Sequence, residues 1–166
     1  YKDLGVNPAN WTEGWNALGA DPNAIICHWE ASGYRLPTEM EWMFAAKGGN
    51  LSLGYQYSGA DSIYTVGWYS GNSGYTVHQV AGRVPNELGI FDLSGNLWEW
   101  CWDIYGAYPA ANQNNPHGAS NGSNKVLRGG CWSSSAASCQ ISERYQSAPS
   151  QSQAAGFGFR CVKKAP

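Results

Sequence analysis

Leu97-Trp98-Glu99-Trp100-Cys101-Trp102 places a tryptophan at every second position and other residue types between them. Successive side chains of a β-strand point to opposite faces, so this period of two predicts a core strand whose tryptophan face is strongly buried. Lys125 to Arg128 and Phe157 to Val162 read as two further short strands, the second alternating Phe157 and Phe159 with Gly158 and Arg160. Upstream, Pro37-Thr38-Glu39-Met40-Glu41 carries a helix start, because Thr38 can cap the helix and Glu41 can return the bond. The spacing predicts a helix over about residues 39 to 46, with Met40, Met43 and Phe44 on one face and Lys47 before Gly48-Gly49 at its end.

Around these elements the chain is punctuated too densely for long helices. Pro8, Gly14, Gly19, Pro22 and Gly33 interrupt residues 1 to 34, leaving room for a short helix from Asn23 to Trp29. Glycines from Gly54 to Gly89 break the region after the predicted helix into loop, with space for one short strand. Aromatic residues make up 14% of the 166 residues and charged residues only 13%, so compactness rests on aromatic packing and tight turns. The length suits one domain spanning residues 1 to 166.

Several function classes lose support at this level. A net charge of -2 without a basic stripe gives no footprint for nucleic acid or anionic lipid. No apolar run is long enough to span a membrane, so direct insertion by this segment is not expected. His28, His78 and His117 lack metal-ligand spacing, Gly71-Asn72-Ser73-Gly74 reads as a turn, and the sequons at Asn10, Asn50 and Asn121 are short enough to recur by chance. Five widely spaced cysteines form no CxxC pair, and tryptophan abundance with low charge fits an extracytoplasmic domain.

Residues 131 to 156 differ from everything around them. Of these 26 residues, 17 are Ser, Ala or Gln, a composition too small and polar to form a core, yet strand signals bracket it. It reads as a displayed segment within the single domain.

Three blocks together resemble one family, the formylglycine-generating sulfatase-modifying enzymes: Tyr34-Arg35-Leu36-Pro37-Thr38-Glu39 through Gly49, Asn86 to Trp102, and Arg128-Gly129-Gly130-Cys131-Trp132 through Gly158-Phe159-Arg160. The resemblance implies an α+β, C-type-lectin-like fold with little regular secondary structure. It also implies an upstream portion that is not visible before Tyr1, so the N-terminal part of the domain is expected to be missing. The family oxidises a substrate cysteine in a copper-dependent reaction that uses two cysteines five residues apart. Those positions fall on Ser134 and Cys139, and a hydroxyl cannot replace a soft thiolate ligand, so neither copper nor that catalysis is expected. Cys131 is three positions from the required site and reads as a buried or disulfide-bonded cysteine.

The same resemblance implies a disulfide between Cys27 and Cys161, and a calcium site using Asp92, Gly95, Leu97 and Glu99, whose oxygens would suit a hard cation. Two alternatives stay open there: Asp92-Leu93-Ser94-Gly95-Asn96 is also an ordinary turn sequence, and Glu99 could pair with a buried arginine such as Arg128.

A subgroup of the family, the variable proteins of diversity-generating retroelements, is similar in its frame. In that subgroup mutagenesis rewrites codons between Arg-Gly-Gly and Gly-Phe-Arg. The resemblance places variable, ligand-binding positions at Ser133, Ser134, Ser135, Ala137, Ser138, Tyr145, Gln146, Ser147, Ala154 and Ala155, with Trp132, Ile141, Arg144 and Phe157 as scaffold. Small Ser and Ala residues around a Tyr give an adaptable contact surface with Tyr145 as anchor, as in antibody loops. The expected function is non-catalytic binding of an unknown ligand, expected to be a protein, at a bacterial cell surface. The alternative is a degenerate or chemically altered relative of the oxidase.

Overall fold

The computed structural model describes residues 27, 29–151 and 155–163. The helix expected at 23 to 29 and the positions Asn10, His28 and Ala154 lie wholly or largely outside these residues.

Thr38 starts the main helix as its sequence demands. Its hydroxyl accepts from the Glu41 N–H, the Glu41 carboxylate accepts from the Thr38 N–H, and α1 runs over Glu39–Ala46. The helix does not bury its Met40 and Phe44 face, which stays exposed; Trp42 and Ala46 enter the core with Leu93, Cys101, Val126 and Ile141. Replacing a ring buried as deeply as Trp42 by Ala costs about 3–5 kcal/mol.

Two sheets carry the rest. β1 (Tyr34–Arg35) pairs antiparallel with β6 (Val162–Lys163). The larger sheet has the order β4-β3-β2-β5, with β2 at Trp98–Ile104, β3 at Lys125–Arg128, β4 at Arg144–Ser147 and β5 at Phe157–Gly158. β3 joins β2 and β4 antiparallel, and β5 runs parallel to β2. The strand read over 157 to 162 is therefore two pieces in two sheets, and the displayed segment contains a strand of its own, β4, which composition concealed. Between α1 and β2 lie a 3-10 turn at Gly49–Leu51, one helical turn α2 (Ile63–Val66) and an isolated Tyr57–Ala60 bridge in place of the expected strand.

The tryptophan alternation of β2 holds, but its sides are reversed from the sequence expectation. Glu99, Cys101 and Asp103 face the core, while Trp100 and Trp102 stay half-buried and only Trp98 is buried on their side. The polar side goes inward because partners distant in sequence satisfy it. Glu99 receives Arg160 and Trp42, and Asp103 accepts the Glu39 N–H at 2.8 Å. The half-open tryptophan face remains available on the other side of the sheet.

Candidate functional site

The segment after β3 is anchored by two left-handed glycines, Gly129 and Gly130. A Cβ on Gly130 would run into the Cys139 sulfur and backbone, so glycine is required where the chain folds back on itself. From there Ser134 closes a local turn: its N–H donates to the Cys131 carbonyl at 2.9 Å and its hydroxyl accepts the Cys131 N–H at 3.0 Å. The Ser133 and Ser134 hydroxyls each lie 3.3 Å from the Cys131 sulfur, and Ser135 and Ser138 bond to one another at 2.9 Å.

Ser133, Ser135, Ala137, Tyr145, Gln146 and Ala155 are exposed, and Ser134, Ser138 and Ser147 are half-buried. The residues read as scaffold behave differently. Ile141 is buried, Arg144 is tied to Glu39, and Trp132 donates its indole N–H to the Ala155 carbonyl at 3.3 Å.

Strand alternation separates Tyr145 from Gln146. Tyr145 lies opposite Leu127, which lies opposite Trp100, so its ring joins the tryptophan face, 5.3 Å from Trp98 and 6.5 Å from Phe157 between ring centres. Gln146 lies opposite the core residue Val126, on the other side of the sheet, and its side-chain Oε1 accepts from the Asn124 side-chain amide. The arrangement is a half-open aromatic floor of Trp98, Trp100 and Phe157 with Tyr145 above it, bordered by small hydroxyl-bearing residues. This floor was missed at the level of sequence, although the tryptophan alternation was its visible signal.

Cys139 is fully buried, and burial, with the Cys131 charge adding to it, pushes its thiol up to about 12. Cys131 is buried among Trp98 and Leu127, as its sequence reading expected. The structure carries Cys27 and Cys161 as free cysteines, without the bond the resemblance implies: Cys161 is exposed beside β6, and Cys27 lies in the field of the Arg35–Glu41 pair.

The residues aligned with a calcium site are gathered in one turn and the start of β2. Asp92 accepts the Ala81 N–H at 2.7 Å through one oxygen, while its Oδ1 is buried without a protein partner. The Gly95 carbonyl accepts from Leu97, and both oxygens of Glu99 accept from Arg160 at 2.6 Å, with Trp42 adding a third bond at 2.7 Å. Burial pushes the Glu99 carboxyl up, the arginine and indole oppose the shift, and the Asp92 charge adds to it. As placed, the four residues do not fit a calcium ion, because a guanidinium already neutralises the one carboxylate that could bind bidentately. Glu99 does pair with an arginine, but with Arg160 and not Arg128.

A second concavity of about 1030 Å³ lies across the sheet, bordered by Met40, Phe44, Asp103, Tyr108 and Arg144. Its acidic centre is occupied internally: Glu39 holds Arg128 and Arg144, each at 2.6 Å.

The chain belongs to the sulfatase-modifying factor enzyme 1-like domain family, whose model matches residues 9–165. Among solved structures it is similar to variable protein 1 of Treponema denticola, with a TM-score of 0.82 and 34% identity over 94% of this chain and 57% of that one. It is 33% identical to the formylglycine-generating enzyme of Streptomyces coelicolor over 98% of this chain and 60% of the relative. It is also 34% identical to serine/threonine-protein kinase pkn1 of Chlamydia pneumoniae, over 86% of this chain and 24% of the relative. The chain thus spans between about a quarter and three fifths of the length of these proteins. Among the described residues no helix is long and apolar enough to cross a membrane.

Proposed function

We propose that this domain is a non-catalytic ligand-binding member of its family, diversified between Cys131 and Gly156 and displayed outside the cell on a bacterial surface. The observation that carries the reading is the division of labour within the segment. Ser133, Ser135, Ala137, Tyr145 and Ala155 are exposed, whereas Ile141 is built into the core and the Arg144 side chain into its ion pair with Glu39. Side chains that touch nothing essential can change without unfolding the domain. Similarity to a protein named for its variability supports the same reading.

The oxidase alternative has weaker support. Thiol chemistry needs a thiolate, and here one of the two aligned positions is the Ser134 hydroxyl while the Cys139 thiol is held protonated at neutral pH. Tyr145 is the proposed anchor, 49% exposed and backed by Trp98 and Phe157, so it presents a large contact area with little rotamer freedom left to lose.

Sequencing the locus in several isolates tests the proposal. Substitutions confined to adenine-matched codons between Cys131 and Gly156, beside a template repeat and a reverse transcriptase, are the expected result. An unvarying segment with no template would overturn diversification and restore the altered-oxidase reading.

A further inference from the structure

We infer that the ligand face is composite, continuing from the displayed segment onto the loop from Ser70 to Val80, and that it takes an uncharged, partly apolar protein surface. The inference rests on the binding function proposed above.

The two loops are joined by hydrogen bonds. The Ser70 N–H donates to the Ser134 carbonyl at 3.0 Å, and the Ser73 hydroxyl donates to the Trp132 carbonyl at 2.7 Å. Ser73 itself is buried, and its hydroxyl also accepts the Tyr75 N–H at 3.1 Å, so one side chain fixes both loops. Beyond this junction the loop turns its apolar groups outward: Tyr75 is 71% exposed, Val77 52% and Val80 72%. Three exposed apolar side chains thus fall within six residues of one loop, the kind of exposed apolar surface that interaction sites use. Tyr75 also holds a φ of 58°, unusual for a residue with a side chain.

The chemistry of the partner follows from charge. No Asp, Glu, Lys or Arg occurs from Ser62 to Gly82 or from Gly129 to Ser142; of the charges that border these stretches, Arg83 lies over the Trp68 ring, Asp92 accepts the Ala81 N–H and Arg144 is paired with Glu39, which leaves Glu143 as an exposed exception. A charged partner group covered by this surface would lose its water without gaining a counter-charge. Neutral, apolar contacts lose nothing of that kind. Variable-type positions would then tune the contact while Tyr75, Val77 and Val80 supply a constant part.

Titrating the folded chain with phenol and isopropanol, followed residue by residue through backbone amide NMR, tests this. Shifts at Ser73 to Val80 together with Trp132 to Ser138 and Tyr145 are expected, unchanged between about 50 mM and about 500 mM salt. Tyr75→Ser should weaken phenol binding about threefold or more with the spectrum otherwise preserved, since the ring is exposed. Shifts at Trp132 to Tyr145 alone would overturn the composite face and leave the proposed function standing. Shifts only at the groove beside Met40 and Phe44 would overturn both. Shifts of the face by N-acetylglucosamine but not by phenol would replace the protein partner with a glycan.

Discussion

Glu99 and Arg128 face one another across β2 and β3, yet neither takes the other as its ion partner. Glu99 is bound by Arg160 from beyond β5, and Arg128 by Glu39 from the first turn of α1. The cross-strand pair is thereby replaced by two ties that hold the helix and the C-terminal stretch to the same sheet. A buried pair is costly to assemble, but more costly to break from one side.

Glu39→Ala should therefore destabilise the domain by about 3–5 kcal/mol, since it strands the fully buried Arg128 and releases Arg144. Denaturant unfolding measures the loss. A change below about 1 kcal/mol would mean that Tyr108, whose hydroxyl lies 2.7 Å from Arg128, and the nearby carbonyls satisfy the guanidinium alone.

Calcium should leave the wild-type unfolding midpoint unchanged within about 1 °C, whether added or chelated, because Arg160 occupies Glu99. Arg160→Gln leaves the Asp92 and Glu99 carboxylates without that cation and should make the midpoint rise with calcium. A wild-type midpoint that rises with calcium would show that the ion displaces the arginine.

Asp103 predicts a pH dependence. Burial is the main cause that raises its carboxyl from 3.8 to about 6, against the Glu39 N–H that holds the anion. The folded form binds its proton more tightly than the unfolded chain, so this group's contribution is fully present below pH 3.8 and is lost as pH rises through about 6. Asp103→Asn should remove this part of the slope between those limits, a difference of at most about 3 kcal/mol. Unfolding free energies of both proteins across that window provide the test, and parallel curves would refute the assignment.

Thiol accessibility should separate the cysteines. Iodoacetamide applied to the native, unreduced protein should label exposed Cys161 first and half-buried Cys27 more slowly, and should spare Cys101 and Cys139, which are buried and held protonated. If peptide mapping finds Cys27 and Cys161 linked and both unlabelled, the free-thiol arrangement is wrong.

Local signals were legible where the chemistry is local. The capped helix appears over the residues its capping box marked out, and β3 over Lys125 to Arg128, the stretch read as a short strand. Strand β4 was hidden because Arg144-Tyr145-Gln146-Ser147 has little strand character of its own and forms against the already placed β3. The aromatic floor was legible as a period but not as a direction. Of the proposed binding face, the displayed segment stood out by composition, whereas the Ser70 to Val80 loop carried no comparable mark.

By itself the sequence determined the family frame, the helix, the tryptophan strand and the interval from Cys131 to Gly156, since each depends on neighbours within a few residues or on the order of blocks. Only the tertiary structure decided which face of β2 is buried, which arginine meets which carboxylate, and which loop adjoins the displayed segment. Those outcomes depend on contacts such as Glu39 with Arg144 and Ser70 with Ser134, whose partners lie far apart in the chain and come together only when the whole core closes.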